Sequence, residues 1–259
     1  MQYIQKVIVP KIRMMGLEWI LVLTALLMAG MLSGCAASRS EMTGKFNRPT
    51  EKNSGADKVS VFFLFKHLEQ QHGLDSMPKL REIGIKDSNN ISLDVLKYTG
   101  ITDFNNIFRD ALTEISNIAQ YDTFTELPQD INNPGRRELS KTFKESSDYT
   151  LEIAFFEESS FKQQCFSGII SLLSLTVIPM PYSWDYTITA NLSDKNGKLI
   201  NSYQRKATLS NWVEALLIFA YPFHPLEGKR EKIYDESLHD IFRQIETEKV
   251  LKNLSVYSK

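Results

Sequence analysis

The chain has 259 residues, of which 42% are hydrophobic and 24% are charged. These proportions are those of an ordinary globular protein, and they exclude both extensive disorder and a polytopic membrane protein. Lys and Arg number 30 against 31 Asp and Glu, so the net charge of -1 gives no electrostatic reason to expect nucleic acid as a partner. Two cysteines are too few for a disulfide-stapled scaffold or a cysteine-rich metal site.

The start of the chain has the three parts of a secretory signal peptide. Lys6, Lys11 and Arg13 make it basic, an uncharged and mostly apolar run follows at 19–34, and small residues end that run. A membrane-spanning helix needs about 20 apolar residues, and Glu18 keeps this run shorter than that. An uncleaved membrane anchor is the alternative interpretation.

The apolar run ends in the sequence Leu32-Ser33-Gly34-Cys35, and Ala36 follows it. This ending resembles the lipobox of bacterial lipoproteins, in which the cysteine is acylated and becomes the first residue of the mature chain. The resemblance implies a covalent lipid on Cys35, and we expect no other cofactor. In lipoproteins of Gram-negative bacteria, Asp directly after the cysteine commonly marks retention in the inner membrane. Ala36 in that position therefore implies transport to the outer membrane, on the side that faces the periplasm.

The region after Cys35 is polar before the apolar patterns of a folded domain begin. Residues 36–57 have few apolar side chains and bury too little to order themselves, so they predict a flexible tether. The sequence therefore divides into a signal peptide at 1–34, the acylated cysteine and tether at 35–57, and a folded domain at 58–259.

Apolar periodicity predicts the elements of that domain. Strands are predicted at 58–65, 91–98, 121–127 and 149–157, and helices at 104–119, 134–145 and 229–253. The second helix has Asn133 as its cap and Pro134 in its first turn. The closing helix carries an apolar stripe made of Tyr234, Leu238, Ile241, Phe242 and Ile245.

A strong turn signal, Asp194-Lys195-Asn196-Gly197, separates two alternating runs and predicts a β-hairpin at 184–208. The element order then predicts one α/β (α+β) domain with a mixed β-sheet flanked by helices. This order, with an Asp-x-Asn-Gly turn between strands, resembles the TolB-type amino-terminal α/β domain of envelope lipoproteins. The resemblance implies a role in assisting secretion, transport or cell-wall synthesis, and it assigns no functional residue.

Two apolar segments, 166–182 and 211–226, flank the predicted hairpin, and Glu214 is the only charged residue in them. The hairpin should bring them side by side. One interpretation is that both pack as core or as a cap over the sheet. The other is an exposed apolar platform that contacts the bilayer or a membrane partner. For that platform the candidate contact residues are Ile170, Leu173, Val177, Trp212, Leu216, Leu217 and Phe219.

Motifs of catalysis are absent from the sequence. The histidines, His67, His72, His224 and His239, lack the spacing of metal ligands on one helix face, and we expect them to be solvated. The adjacent acids Glu157 and Glu158 should point to opposite sides of a strand. Cys165 has no base beside it in sequence, so we expect a buried, unreactive thiol. The sequence therefore predicts a protein that is not an enzyme.

The expected function is that of a membrane-anchored envelope lipoprotein whose domain acts as a binding or accessory module for an envelope protein assembly. Its expected partners are the lipid bilayer, through acylated Cys35, and an envelope protein. The alternative is a lipid- or membrane-contacting protein that uses the apolar region at 166–223, and a cell-wall-acting enzyme is the third candidate. Burial of residues 169–178 and 213–221 favours the protein-binding module, whereas exposure favours contact with membrane or lipid.

Overall fold

The computed structural model describes residues 34–49, 51–52, 55–80, 104–174, 178, 180–214 and 228–252. The strands among them are β1 (Gly34–Arg39), β2 (Val59–His72), β3 (Lys79–Leu80), β4 (Ile118–Thr125), β5 (Tyr149–Ser160), β6 (Met180–Asp194) and β7 (Leu199–Glu214). The α-helices are α1 (Phe104–Leu112), α2 (Pro134–Ser146), α3 (Phe161–Leu173) and α4 (Lys229–Glu248). A short 3-10 helix at Pro128–Asn132 precedes α2.

The chain divides into two compact units. The first unit consists of Met1–Ser38, Cys165–Tyr182 and Asn211–Leu226. The second unit consists of Arg39–Gln164, Ser183–Ser210 and Glu227–Lys259. The described parts of the two apolar segments, at 166–174, 178, 180–182 and 211–214, therefore fall in the first unit, as does Cys35.

The strands form one mixed sheet in the order β1-β7-β6-β5-β2-β3, and β4 also pairs with β2. β2 runs parallel to β4 and β5, whereas β3 pairs antiparallel with β2, and β6 antiparallel with β5. A mixed sheet with helices is the predicted α/β class, and the prediction is confirmed.

The core of the second unit lies between the sheet and helices α1 and α4. Alternate side chains of β2 point into it, among them Phe63 and Phe65, whose ring centroids lie 5.0 and 5.3 Å from that of Phe108 on α1. Phe242 on α4 packs against the same cluster, 5.9 Å from Phe63. All five residues of the stripe predicted for the closing helix are buried, so this stripe is confirmed.

Helix α1 is shorter than predicted. It ends at Leu112 instead of continuing to residue 119, and the last two residues of the predicted helix, Ile118 and Ala119, start β4. The backbone amide of Val59 donates to the carbonyl of Asn117 at the point where β4 joins β2. Backbone pairing with β2 therefore makes this segment a strand, although its apolar side chains continue the helical spacing.

Other predicted elements match closely. Helix α2 begins at Pro134, and the side chain of Asn133 accepts a hydrogen bond of 3.2 Å from the backbone amide of Arg136. β2 and β5 extend past their predicted ends because they pair with each other as far as His72 and Ser160. The strand predicted at 91–98 lies outside the described residues.

The predicted hairpin is confirmed. Asp194 accepts backbone hydrogen bonds from Gly197, at its carbonyl, and from Asn196 and Lys198, at its carboxylate, each 2.9 Å long. Gly197 has a φ of 78°, the left-handed conformation that such a turn requires. Alternate residues of β6 are buried on one face of the strand, at Tyr186, Ile188, Ala190 and Leu192. Leu199 is the first residue of β7 after the turn and is exposed.

Residues 39–46 are not a free tether. Arg39 donates two hydrogen bonds, of 3.0 and 2.8 Å, to the carboxylate of Glu236 on α4. Met42 is buried, and the backbone amide of Phe46 donates to Asp240 at 2.9 Å. The expectation of a flexible tether is therefore wrong for this stretch. Apart from Met42, its anchors are long-range polar contacts, and one buried apolar side chain makes no periodic pattern in the local sequence.

Candidate functional site

A cluster of polar side chains lies where the inner face of the sheet meets the first turns of α4. His67 on β2, Glu157 on β5 and Tyr186 on β6 point to this face because each continues the alternation of its strand. Arg230 and Tyr234 come from α4 and, being four residues apart, share one side of the helix. All but Arg230, whose side chain is 30% exposed, are buried.

The carboxylate of Glu157 is the centre of this cluster. Its Oε1 accepts a hydrogen bond of 2.9 Å from the hydroxyl of Tyr234, and Nε2 of His67 lies 3.1 Å from the same oxygen. A guanidinium nitrogen of Arg230 lies 3.9 Å from Oε2, and Nε of Arg230 donates to the hydroxyl of Tyr186 at 3.1 Å. Since an ionised carboxylate only accepts, His67 carries its proton on Nε2 in this arrangement. Its Nδ1 is buried without a hydrogen-bond partner in the described structure.

Burial and charge shift the pKa values of these groups in different directions. Burial alone would raise the pKa of the Glu157 carboxyl, but the hydrogen bond from His67 and the charge of Arg230 outweigh it and lower that pKa below its usual value. Burial and the neighbouring Glu157 raise the pKa of Tyr186 to about 12 and that of Tyr234 well above its usual value. At neutral pH the cluster therefore holds an ionised carboxylate among protonated donors.

The cluster is built for structure rather than for access by a substrate. A histidine paired with a carboxylate is an arrangement used for proton transfer, but a base must reach the atom that it deprotonates. The side chains of His67 and Glu157 are only 3% and 4% exposed. Among the residues that the structure describes, no three His, Cys, Asp or Glu side chains come together as a metal site would require. The arrangement instead ties the first turns of α4 to the sheet.

The sequence interpretation missed this cluster because it treated the histidines as solvated. That expectation is wrong for His67, whereas His72 is exposed, with its Nε2 2.8 Å from Glu158. The signal for His67 was present, since it continues the alternation of the inward side chains of β2. The prediction that Glu157 and Glu158 point to opposite sides is confirmed, because one is buried and the other is on the partly exposed face.

A shallow cleft of about 280 Å³ lies on the opposite side of the sheet, and Leu64, Phe124, Ile131 and Arg137 are among its lining residues. Asp130 lines it too, but its carboxylate is occupied by Arg136 at 2.5 Å. The cleft therefore presents apolar side chains, the exposed Arg137 and the carboxylate of Glu126, which is paired with Lys66 at 3.0 Å.

The residues predicted for an apolar contact are only partly within the described structure. Leu173 on α3 is exposed, while Ile170 on α3 and Trp212 on β7 are partly exposed. The other four, Val177, Leu216, Leu217 and Phe219, lie outside the described residues. The indole of Trp212 donates to the hydroxyl of Ser38 at 3.2 Å.

Helix α3 turns its small residues inward and its large apolar residues outward. Ser167 is buried and its hydroxyl donates to the carbonyl of Pro181 at 3.0 Å. Gly168 lies beside Tyr182, since a Cβ at this glycine would be 3.7 Å from the tyrosine hydroxyl. The exposed fractions of the large side chains are 63% for Phe166, 52% for Ile169, 75% for Leu172 and 79% for Leu173. The core interpretation is therefore wrong for this helix.

Cys165 lies on the same helix and is exposed as a free thiol. The expectation of a buried thiol is wrong because the inward side of α3 is taken by Ser167 and its neighbouring glycine. No helix within the described ranges combines the length and apolar character needed to cross a bilayer.

Comparison with known proteins yields similarity only to solved structures. No protein-family model and no curated protein matches the chain. The PelC dodecamer from Paraburkholderia phytofirmans is similar at 9% identity, over 82% of this chain and 98% of that chain, with a TM-score of 0.29. A Helicobacter pylori protein described as a homolog of a neuraminyllactose-binding hemagglutinin is similar at 11% identity, over 82% of this chain and 96% of that chain, with a TM-score of 0.34. Neither similarity is close enough to bear on function, and the resemblance to TolB-type domains stays a prediction.

Proposed function

We propose that the protein is a lipoprotein of the bacterial cell envelope, acylated at Cys35 and held in the outer membrane on its periplasmic side. The observation that carries this proposal is the position of the lipobox relative to the fold. β1 begins at Gly34, so a chain that starts at Cys35 retains every described strand and helix except for that one residue. Each buried methylene of an acyl chain contributes about 0.8 kcal/mol, and two or more chains give stable anchoring.

The folded domain serves as a non-enzymatic binding or accessory module for an envelope protein assembly. This role is supported by the polar cluster around Glu157, whose members bond to one another inside the core. On the other side of the sheet, Lys66 bridges Glu126 and Glu152 at 3.0 and 3.1 Å, on a partly exposed polar surface. Such a surface suits a protein partner, because partly exposed charges favour specific association.

A second candidate function is contact with membrane or lipid through the apolar region at 166–223. The exposure of Phe166, Leu172 and Leu173 favours this candidate over a purely protein-binding role for α3. Large apolar side chains grouped on a surface mark interaction sites.

Metabolic labelling with a fatty-acid probe tests the anchor. The wild-type protein is expected to carry the label and to fractionate with the outer membrane. The Cys35→Ser variant should be unlabelled, while the matched Cys165→Ser variant should keep the label because Cys165 lies in α3, outside the lipobox. Label that persists on Cys35→Ser would overturn the lipoprotein proposal.

A further inference from the structure

We infer that α3 docks its exposed apolar side chains into the surface of the same bilayer that holds the acyl chains of Cys35. This inference rests on the proposed acylation and adds a second membrane contact, made by protein side chains. The contact residues are Phe166, Ile169, Leu172 and Leu173.

The exposed side chains of α3 have the arrangement of an interfacial helix. Phe166, Ile169 and Leu173 follow one another at steps of three and four residues, and Leu172 stands beside them, so they share one side of the helix. The sequence has no charged residue from Gln163 to Trp184. Insertion of this side into the headgroup region therefore desolvates no charge, and each apolar side chain that leaves water stabilises the docked state.

The lipid bilayer is the occupant that the structure favours, because the anchor point and α3 belong to the same compact unit. Cys35 lies in the part of β1 that falls in this unit, and the exposed residues of α3 belong to the same unit. Ser38 follows Cys35 by three residues, about 10 Å along an extended strand, and its hydroxyl bonds to the indole of Trp212. A membrane that holds acyl chains at Cys35 is thus held close to this unit.

Two aromatic residues of the unit fit the same environment. Trp212 and Tyr182 are partly exposed and each combines an apolar ring with a polar group. Tryptophan and tyrosine are enriched at membrane interfaces for this reason. Cys35 lies within β1, so no flexible linker separates the acylated residue from this strand. Acylation would therefore present α3 to the bilayer at a high effective concentration, at which weak docking suffices.

Reconstitution of the acylated protein in vesicles tests the inference. The protein is purified with its lipid and placed in vesicles of phosphatidylethanolamine and phosphatidylglycerol, with or without brominated acyl chains. Once Cys35 is acylated, the exposed Cys165 on α3 is the only free thiol and accepts an environment-sensitive fluorophore. We expect brominated lipid to quench this fluorophore and soluble iodide not to reach it. The matched control is Cys165→Ser combined with Ile131→Cys, an exposed position outside α3, where iodide should quench and brominated lipid should not.

A double substitution separates docking from anchoring. Leu172→Asp with Leu173→Asp should abolish quenching by brominated lipid at Cys165, while the fatty-acid label on Cys35 and the melting temperature remain, because both leucines are largely exposed. Ile131→Asp should change none of these readouts.

Three outcomes overturn the inference. Iodide quenching of the Cys165 fluorophore in vesicles would show that α3 stays in water, and unchanged lipid quenching in the double variant would show that these leucines do not dock. Two results together would assign the surface to a second copy of the chain: crosslinking between the Cys165 residues of two chains, and protection of the Cys165 fluorophore from iodide in the absence of lipid. In each case a label on Cys35 leaves the proposed lipoprotein function standing, whereas loss of that label defeats both.

Discussion

The hydroxyl of Tyr234 on α4 donates a hydrogen bond of 2.9 Å to Oε1 of Glu157 on β5, and both side chains are buried. The bond joins a helix to the centre of the sheet through an ionised group. Burial of a carboxylate is costly unless hydrogen bonds and opposite charge compensate it. The hydroxyl of Tyr234 is therefore part of what makes a charge tolerable inside this core.

Tyr234→Phe is expected to destabilise the protein by about 1.5–3 kcal/mol, the usual range for a hydrogen bond to a charged group. The ring still fills its space, so the loss reports on the hydroxyl alone. Urea unfolding at neutral pH measures the change. Tyr121→Phe on the exposed part of β4 is the control and should stay within about 0.5 kcal/mol of wild type. Equal effects of the two substitutions would contradict the role assigned to Tyr234.

The same carboxylate predicts a dependence of stability on pH. The pKa of Glu157 lies below its usual value of 4.5, so the folded state binds the proton less readily than the unfolded state does. Its contribution to stability is then complete above about pH 4.5 and is lost as the pH falls through the lower folded pKa.

Glu157→Gln should accordingly be less stable than wild type at pH 7 and should lose less further stability between about pH 4.5 and pH 3. Denaturant unfolding at a series of pH values measures both effects. Glu158→Gln is the matched control, since Glu158 pairs with His72 on the partly exposed side of the same strand. If the two variants follow the same pH profile, the buried carboxylate does not account for the acid sensitivity.

The fold could be predicted where side-chain pattern and backbone structure agree. The stripe of α4, the cap at Asn133 and the turn at Gly197 each combine a local signal with the structure that it favours. The pattern failed at Ile118, where helical spacing continues but pairing with β2 determines a strand. Local sequence carries no record of that distant partner.

The sites were harder to predict for a related reason. Arg39 and Glu236 are 197 residues apart, and the sequence around each of them does not indicate that they pair. His67 carried a usable signal, its place in the alternation of β2, which a search for metal spacing overlooks. On α3 the apolar residues suggested a core, but only the structure shows that Ser167 faces inward instead. Composition therefore located this segment without giving its orientation.

The aromatic core gives a prediction of large magnitude. Phe108 is buried and its ring packs edge-on against those of Phe63 and Phe65. Phe108→Ala should cost about 3–5 kcal/mol, since it removes a large buried side chain and leaves a cavity. That is a large part of the 5–15 kcal/mol of a typical domain. Thermal or urea unfolding measures this loss of stability, and Ile131→Ala at an exposed position is the control. A melting temperature of Phe108→Ala within one degree of wild type would show that α1 does not bury its apolar side chains.

The last prediction concerns the attachment of the segment after the proposed anchor. The guanidinium of Arg39 and the carboxylate of Glu236 are held by two hydrogen bonds, and both side chains are at least 20% exposed. Solvent screening limits the stabilisation from such a pair to about 1 kcal/mol, so Arg39→Ala should lower global stability only slightly.

Local opening of residues 40–46 should respond more strongly. Arg39 is among the few groups that bind this segment to α4, together with Phe46 through its backbone. Hydrogen exchange at residues 40–46 should therefore become faster in Arg39→Ala and in Glu236→Ala. In the double variant the two effects should not add, since each substitution removes the same contact. Lys45→Ala, an exposed residue of the same segment, serves as the control. Fully additive effects, or unchanged exchange in both single variants, would mean that the segment is held in place without this pair.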